Sequence, residues 1–124
     1  MKPKLYLEST IPSYYAARPS RDLVTAAHQQ ITRDWWIRRL ADFDIYVSQV
    51  VLDEVAAGDL EMGRQRLKLI HEFPILSANE EVSSLAEDLI RSGPLPPKAA
   101  RDAAHIAFSA VHGMHFLLTW NCCI

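Results

Sequence analysis

Short apolar runs alternate with longer stretches of helical spacing along the whole chain. Residues 4–7, with Tyr6 at their centre, predict a first strand that ends at Glu8. Ser9, Thr10, Ile11 and Pro12 follow, and a hydroxyl residue ahead of an early Pro predicts a helix start. Residues 17–21 read as a loop. Across 22–40, Leu23, Ala26, Ala27, Ile31, Trp35 and Leu40 recur at helical spacing, which predicts a helix burying that face. Ile45, Tyr46 and Val47 predict a second strand, and Ser48 is placed to cap a helix over 49–56 with Gly58 beyond its end. Helices are predicted over 60–72 and 79–92, with a short strand over 74–76 between them. Residues 93–97 form a Pro-rich loop, 98–112 an alanine-rich helix ended by Gly113, and 116–118 a fourth strand followed by Thr119, Trp120 and Asn121. Strands alternating with helices predict an α/β domain whose central sheet is mainly parallel and has about four strands.

Length and composition narrow the function. The 124 residues fit a single domain, 1–124, with 49% hydrophobic and 23% charged residues. The net charge of -2 and the pI of about 6.2 exclude nucleic-acid binding by bulk positive charge, so any such ligand is gripped locally. The only cysteines, Cys122 and Cys123, are adjacent and lack zinc-finger spacing, so they read as reduced thiols of a cytoplasmic protein. The N-terminus has no signal-peptide pattern, and no apolar stretch approaches the ~20 residues of a membrane helix.

Three carboxylates stand out. Glu8 follows the first strand, at the sheet edge where α/β sites form. Glu54 shares a helix face with Val50 and Val51, so it is expected to turn inward, while Asp53 points elsewhere. Asp102 lies on a polar stripe of the alanine-rich helix with Lys98, Arg101, His105, Ser109 and His112, a stripe expected to line a cleft or face solvent. Each has an ordinary alternative: a solvated helix-opening Glu8, a buried ion pair for Glu54, and an exposed Asp–Arg pair for Asp102. If all three converge, they repel unless a cation joins them, and oxygen ligands suit Mg²⁺ or Mn²⁺. Such ions activate water and clamp the oxygens of a phosphoryl displacement, the chemistry of a phosphodiester nuclease. Arg101 and Lys98 are placed to attract an RNA backbone, with a solvated basic rim as the alternative. His105, one turn from Asp102, reads either as a phosphate or proton-transfer contact or as a surface histidine without a role. Tyr14, Tyr15, Trp35 and Trp36 read as core or interface before base-stacking groups. His28, His71, His112 and His115 show no metal-ligand spacing.

The segments YLESTIPSYY, VVLDEVAAGD, KAARDAAHIAFSAV and HFLLTWN, in this order, resemble the motifs of PIN-domain proteins, most of all toxin ribonucleases of VapC type. The resemblance covers essentially the whole chain. It implies a three-layer α/β/α domain and an Mg²⁺- or Mn²⁺-dependent endoribonuclease with one or two ions. It also implies a homodimer, inhibited by a small antitoxin partner. Glu8, Glu54, Asp102 and Asn121 fall on the family's four site positions, with Ser9 and Thr119 in support. Two positions depart from the pattern: Glu8 stands where most members carry Asp, and Asn121 offers a neutral carbonyl in place of an acid. The site then carries three negative charges, and one metal is the firmer expectation. Members usually continue into a last helix and edge strand, so the resemblance implies a domain lacking those elements. Two competing expectations are a PIN-like fold that binds or regulates without catalysis, and an Mg²⁺-dependent phosphohydrolase of small phosphoesters.

Overall fold

The computed structural model describes residues 1–93 and 99–121. Strand β1 (Lys4–Leu7) leads into helix α1 (Thr10–Ala16), with Pro12 in the first turn where its missing N–H does no harm. Helix α2 (Leu23–Arg39) starts at Asp22, whose carboxylate accepts from the Thr25 amide, and runs into a 3₁₀ turn, Leu40–Asp42. Strand β2 (Asp44–Ser48) and helix α3 (Gln49–Ala56) follow. Gly58, at φ 84, turns the chain into α4 (Leu60–Ile70). Strand β3 (Ile75–Leu76) precedes α5 (Glu80–Ser92), which is capped by Asn79. Helix α6 (Ala100–Val111) and strand β4 (Phe116–Leu118) complete the order. Residues 94–97 of the expected loop 93–97, the start of the last helix at Lys98, and Cys122 and Cys123 lie outside the described residues.

Among the described residues four strands pair in parallel, in the order β3-β2-β1-β4. Helices flank the sheet as an α/β/α sandwich: α1 packs on α2 and α4, α5 on α6, and α3 touches both α4 and α6. The chain winds outward from β1 to β3 and then returns to place β4 on the other side of β1. The carboxyl ends of β1 and β4 therefore flank a topological switch point, where open α/β sheets form their ligand crevices. Glu8 and Thr119 stand at those two ends. The core is built by Leu5, Tyr6, Leu7, Ile45, Val47, Val51, Val55, Ile70 and Phe108. No described helix is long and apolar enough to cross a membrane.

Helix α2 corrects the expected burial. Leu23 is 85% exposed and Ile31 55%, and Val24 and Ile37 are also open to solvent. Its buried residues are Gln29 and Thr32. These polar groups are satisfied inside: Gln29 bridges the Ser20 amide and the Arg18 carbonyl, and Thr32 Oγ1 donates to the His28 carbonyl. Trp35 and Trp36 do pack against the core, with Tyr15 and Trp36 ring centroids 4.9 Å apart.

Candidate metal centre

Glu8 continues the ladder of β1, its amide donating to the Leu118 carbonyl at 3.1 Å. The two-residue period of a strand puts its side chain on the same face as Tyr6. Glu8 is 4% exposed. Its Oε1 accepts from the Thr10 amide at 3.1 Å, from the Thr10 hydroxyl, and from Thr119 Oγ1 at 2.7 Å. Among the described residues its Oε2 accepts from Ser9 Oγ alone, at 2.9 Å. A carboxylate offers about four lone-pair sites. Oε1 is crowded with donors and Oε2 is the oxygen with room for a further partner. The polar Ser-Thr step after β1 thus serves the carboxylate, and Ser9 makes no side-chain cap to α1.

Glu54 projects from α3 one turn after buried Val51, which confirms the inward turn, while Asp53 is exposed and bonded to Gln49. Its Oε1 lies 2.8 Å from His105 Nε2, with the Glu54 side chain 15% exposed and that of His105 fully enclosed. Burial pushes the Glu54 carboxyl up, but the hydrogen bond from His105 and the field of Arg101 hold it below the usual value. Ser9, which gives its hydroxyl proton to Glu8, also adjoins Glu54. An open pocket of about 270 Å³, lined by Val50, Asp53, Glu54, Ala57 and Arg101, leads outward from Glu54.

His105 corrects the expected polar stripe. It is fully buried, with Nδ1 2.7 Å from the Tyr6 hydroxyl, which in turn lies 2.7 Å from Ser48 Oγ. Burial drives the Tyr6 phenol well above its ordinary range, so it stays protonated. The surface reading of His105 fails because α6 turns this position against β1, where Tyr6 brings a hydroxyl into the core. That buried hydroxyl was the signal: a Tyr at the centre of a strand needs a polar partner. Ser109, on the same stripe, also buries its hydroxyl oxygen.

The ligand-capable atoms of Glu8, Glu54 and His105 lie within 4.8 Å of one another. Asp102 is not in that group. It accepts from Asn121 Nδ2 at 2.9 Å, so the third and fourth expected positions meet each other. Thr119 joins the two halves, since its Oγ1 donates to Glu8 and accepts from the Asn121 amide at 2.9 Å. Among the described residues, no Lys or Arg forms an ion pair with Glu8, Glu54 or Asp102. Arg101 is exposed at the pocket rim, and Lys98 lies outside the described residues. The donor set of two carboxylates backed by hydroxyls fits a hard divalent cation.

Beside the site, His28 stacks on Trp120 with ring centroids 4.1 Å apart and planes 12° apart. Trp120 Nε1 donates to Thr32 Oγ1 at 2.7 Å and its amide to Thr10 Oγ1 at 2.9 Å. Neither role was visible in the spacing of His28. No family model matches the chain, and no curated protein matches it.

Proposed function

We propose that this chain is a metal-dependent endoribonuclease of the kind its motifs resemble, a PIN-domain toxin of VapC type acting in the cytoplasm. The observation that carries the reading is the meeting of Glu8, Glu54 and His105 within 4.8 Å at the sheet's switch point, without a Lys or Arg ion pair among the described residues. Two carboxylates held this close repel, and a cation relieves that repulsion.

Glu8 and Glu54 would hold Mg²⁺ or Mn²⁺, with Asp102 and Asn121 as the adjoining pair. An ion there supplies an activated water and neutralises charge on the phosphate oxygens. The chain's own residues do the rest. Ser9, Thr10 and Thr119 hold the Glu8 carboxylate in one orientation. Arg101, at the rim of the Glu54 pocket, supplies the local positive charge that the overall balance lacks. The exposed apolar residues of α2 (Leu23, Val24, Ile31 and Ile37) support a protein partner, either a second copy or a small antitoxin.

RNA cleavage with Mg²⁺ or Mn²⁺ tests the reading, comparing the parent with Glu54→Gln and Asp102→Asn and adding a generic phosphoester substrate. Loss of RNA cleavage in Glu54→Gln, and on chelation, is expected. Equal activity in all three proteins refutes the site, and turnover of the phosphoester alone favours the small-substrate phosphohydrolase. One observation favours a binding module without catalysis: the Asn121 amide directs a donor at Asp102, satisfying that carboxylate without a cation. Under that reading the parent neither cleaves RNA nor binds Mn²⁺.

A further inference from the structure

Ser48, Tyr6, His105 and Glu54 form one unbroken chain of hydrogen bonds, and its two ends set the direction of every proton in it. At one end the Val51 amide can only donate, and it donates to Ser48 Oγ at 3.4 Å. At the other end an ionised Glu54 can only accept, so the hydrogen on the 2.8 Å contact belongs to His105 Nε2. A neutral imidazole with Nε2–H has a bare Nδ1, which accepts from the Tyr6 hydroxyl at 2.7 Å. The phenol oxygen then offers Ser48 only its lone pairs, so the Ser48 hydroxyl donates to Tyr6 at 2.7 Å. Each hydroxyl donates once and accepts once.

The other orders fail. With the proton on Nδ1, a bare Nε2 faces a carboxylate, two acceptors at 2.8 Å. A doubly protonated ring reverses both hydroxyls and leaves the Ser48 proton without an acceptor among the described residues. Water does not compete along the inner part of the chain, where Tyr6, Ser48 and His105 are 0% exposed.

We infer that Glu54 at one end and the Tyr6–Ser48 pair at the other together hold His105 as the Nε2–H tautomer, which makes His105 a positioning residue for Glu54 and not a metal ligand. The tautomer stands on geometry alone, while its consequence for a cation rests on the proposed function. The order is the one by which ligand carboxylates and histidines are steered from behind in metal sites. Here the roles are reversed: the carboxylate is the ligand and the histidine its support. The same Ser48 hydroxyl caps α3, the helix that carries Glu54, so one atom sets both the helix start and the posture of its functional side chain.

Side-chain nitrogen NMR of the metal-free full chain tests the tautomer. His105 is expected to show a protonated, pyrrole-type Nε2 and a bare, pyridine-type Nδ1, and Tyr6→Phe to shift the Nδ1 signal to that of a nitrogen without a hydrogen bond while Nε2 stays protonated. Mn²⁺ titration of the same proteins tests the consequence. Tyr6→Phe should weaken Mn²⁺ binding about tenfold. His105→Gln, whose amide can still donate to Glu54, should stay closer to the parent than His105→Phe. A proton on Nδ1, or on both nitrogens, overturns the inference whatever the variants do. So does a Tyr6→Phe protein with parental ring signals and parental Mn²⁺ affinity. A parent that shows the Nε2–H tautomer but binds no Mn²⁺ supports the proton order and refutes the metal reading, so the two failures are distinct.

Discussion

Thr119 Oγ1 donates to Glu8 Oε1 at 2.7 Å, tying the end of β4 to the end of β1 across 111 positions of chain. The same oxygen accepts from the Asn121 amide, so one hydroxyl fixes the first acidic position and the segment carrying the last. Replacing Thr119 by Val keeps the shape and removes both bonds. The expected loss is about 1–2 kcal/mol, read as a fall in the urea midpoint at unchanged m-value. Thr119→Ser, which keeps the oxygen, should recover most of it.

Glu54 has a carboxyl held below its ordinary value of 4.5 despite the upward push of burial, chiefly by His105. A depressed folded-state value means that the unfolded chain takes up the proton first as pH falls. The stabilisation is present above the unfolded value and is lost as pH falls through the folded one. Stability of the parent should drop more steeply below pH 4.5 than that of Glu54→Gln. Parallel acid limbs in urea melts at a series of pH values would show that His105 does not favour the charged carboxylate.

Gly63 lies where α4 crosses α3. A Cβ there would sit 2.9 Å from the Ala56 carbonyl oxygen, a backbone atom that cannot swing aside. Ala is the better helix former by ~1 kcal/mol, so propensity alone favours Gly63→Ala. Overpacking costs typically 1–3 kcal/mol, and the contact is with backbone, so the clash should win. Net destabilisation in urea or thermal melts is expected, and a stabilised variant would show that the two helices separate freely.

Asn121 donates to Asp102 at 2.9 Å. Asn121→Asp replaces that bond by a like-charge contact, which should lower stability without metal. It should also give a cation a stronger field. The variant is therefore expected to start below the parent in melting temperature and to gain more from Mn²⁺, since at equal ligand concentration the tighter-binding protein is stabilised more, by RT ln(1 + [L]/Kd). A smaller gain than the parent's would place Asn121 away from the cation.

The strands were legible because short β-branched and apolar runs bounded by turn residues have few alternative structures. The cap Ser48 and the turn at Gly58 followed from side-chain and backbone chemistry that acts within a few residues. Helix α2 was legible as a helix but not in its facing. Its inner positions are Gln29 and Thr32, whose partners Arg18, Ser20 and Trp120 are set by the fold and not by local spacing. Glu8 and Glu54 were legible from their places after strands. His105 was misplaced because its partners, Tyr6 and Glu54, lie 99 and 51 positions away. The Asp102–Asn121 contact joins two positions that the resemblance had already grouped in one site.

Calorimetric titration of the full chain with Mn²⁺, beside Glu54→Gln, decides whether the paired glutamates hold a cation. Saturable binding by the parent is expected. The variant should lose at least as much affinity as the ~10–100-fold that removing an outer support costs a metal site, with the fold kept intact by far-ultraviolet dichroism. No Mn²⁺ binding by the parent, or equal binding by both proteins, would show that the glutamates hold none.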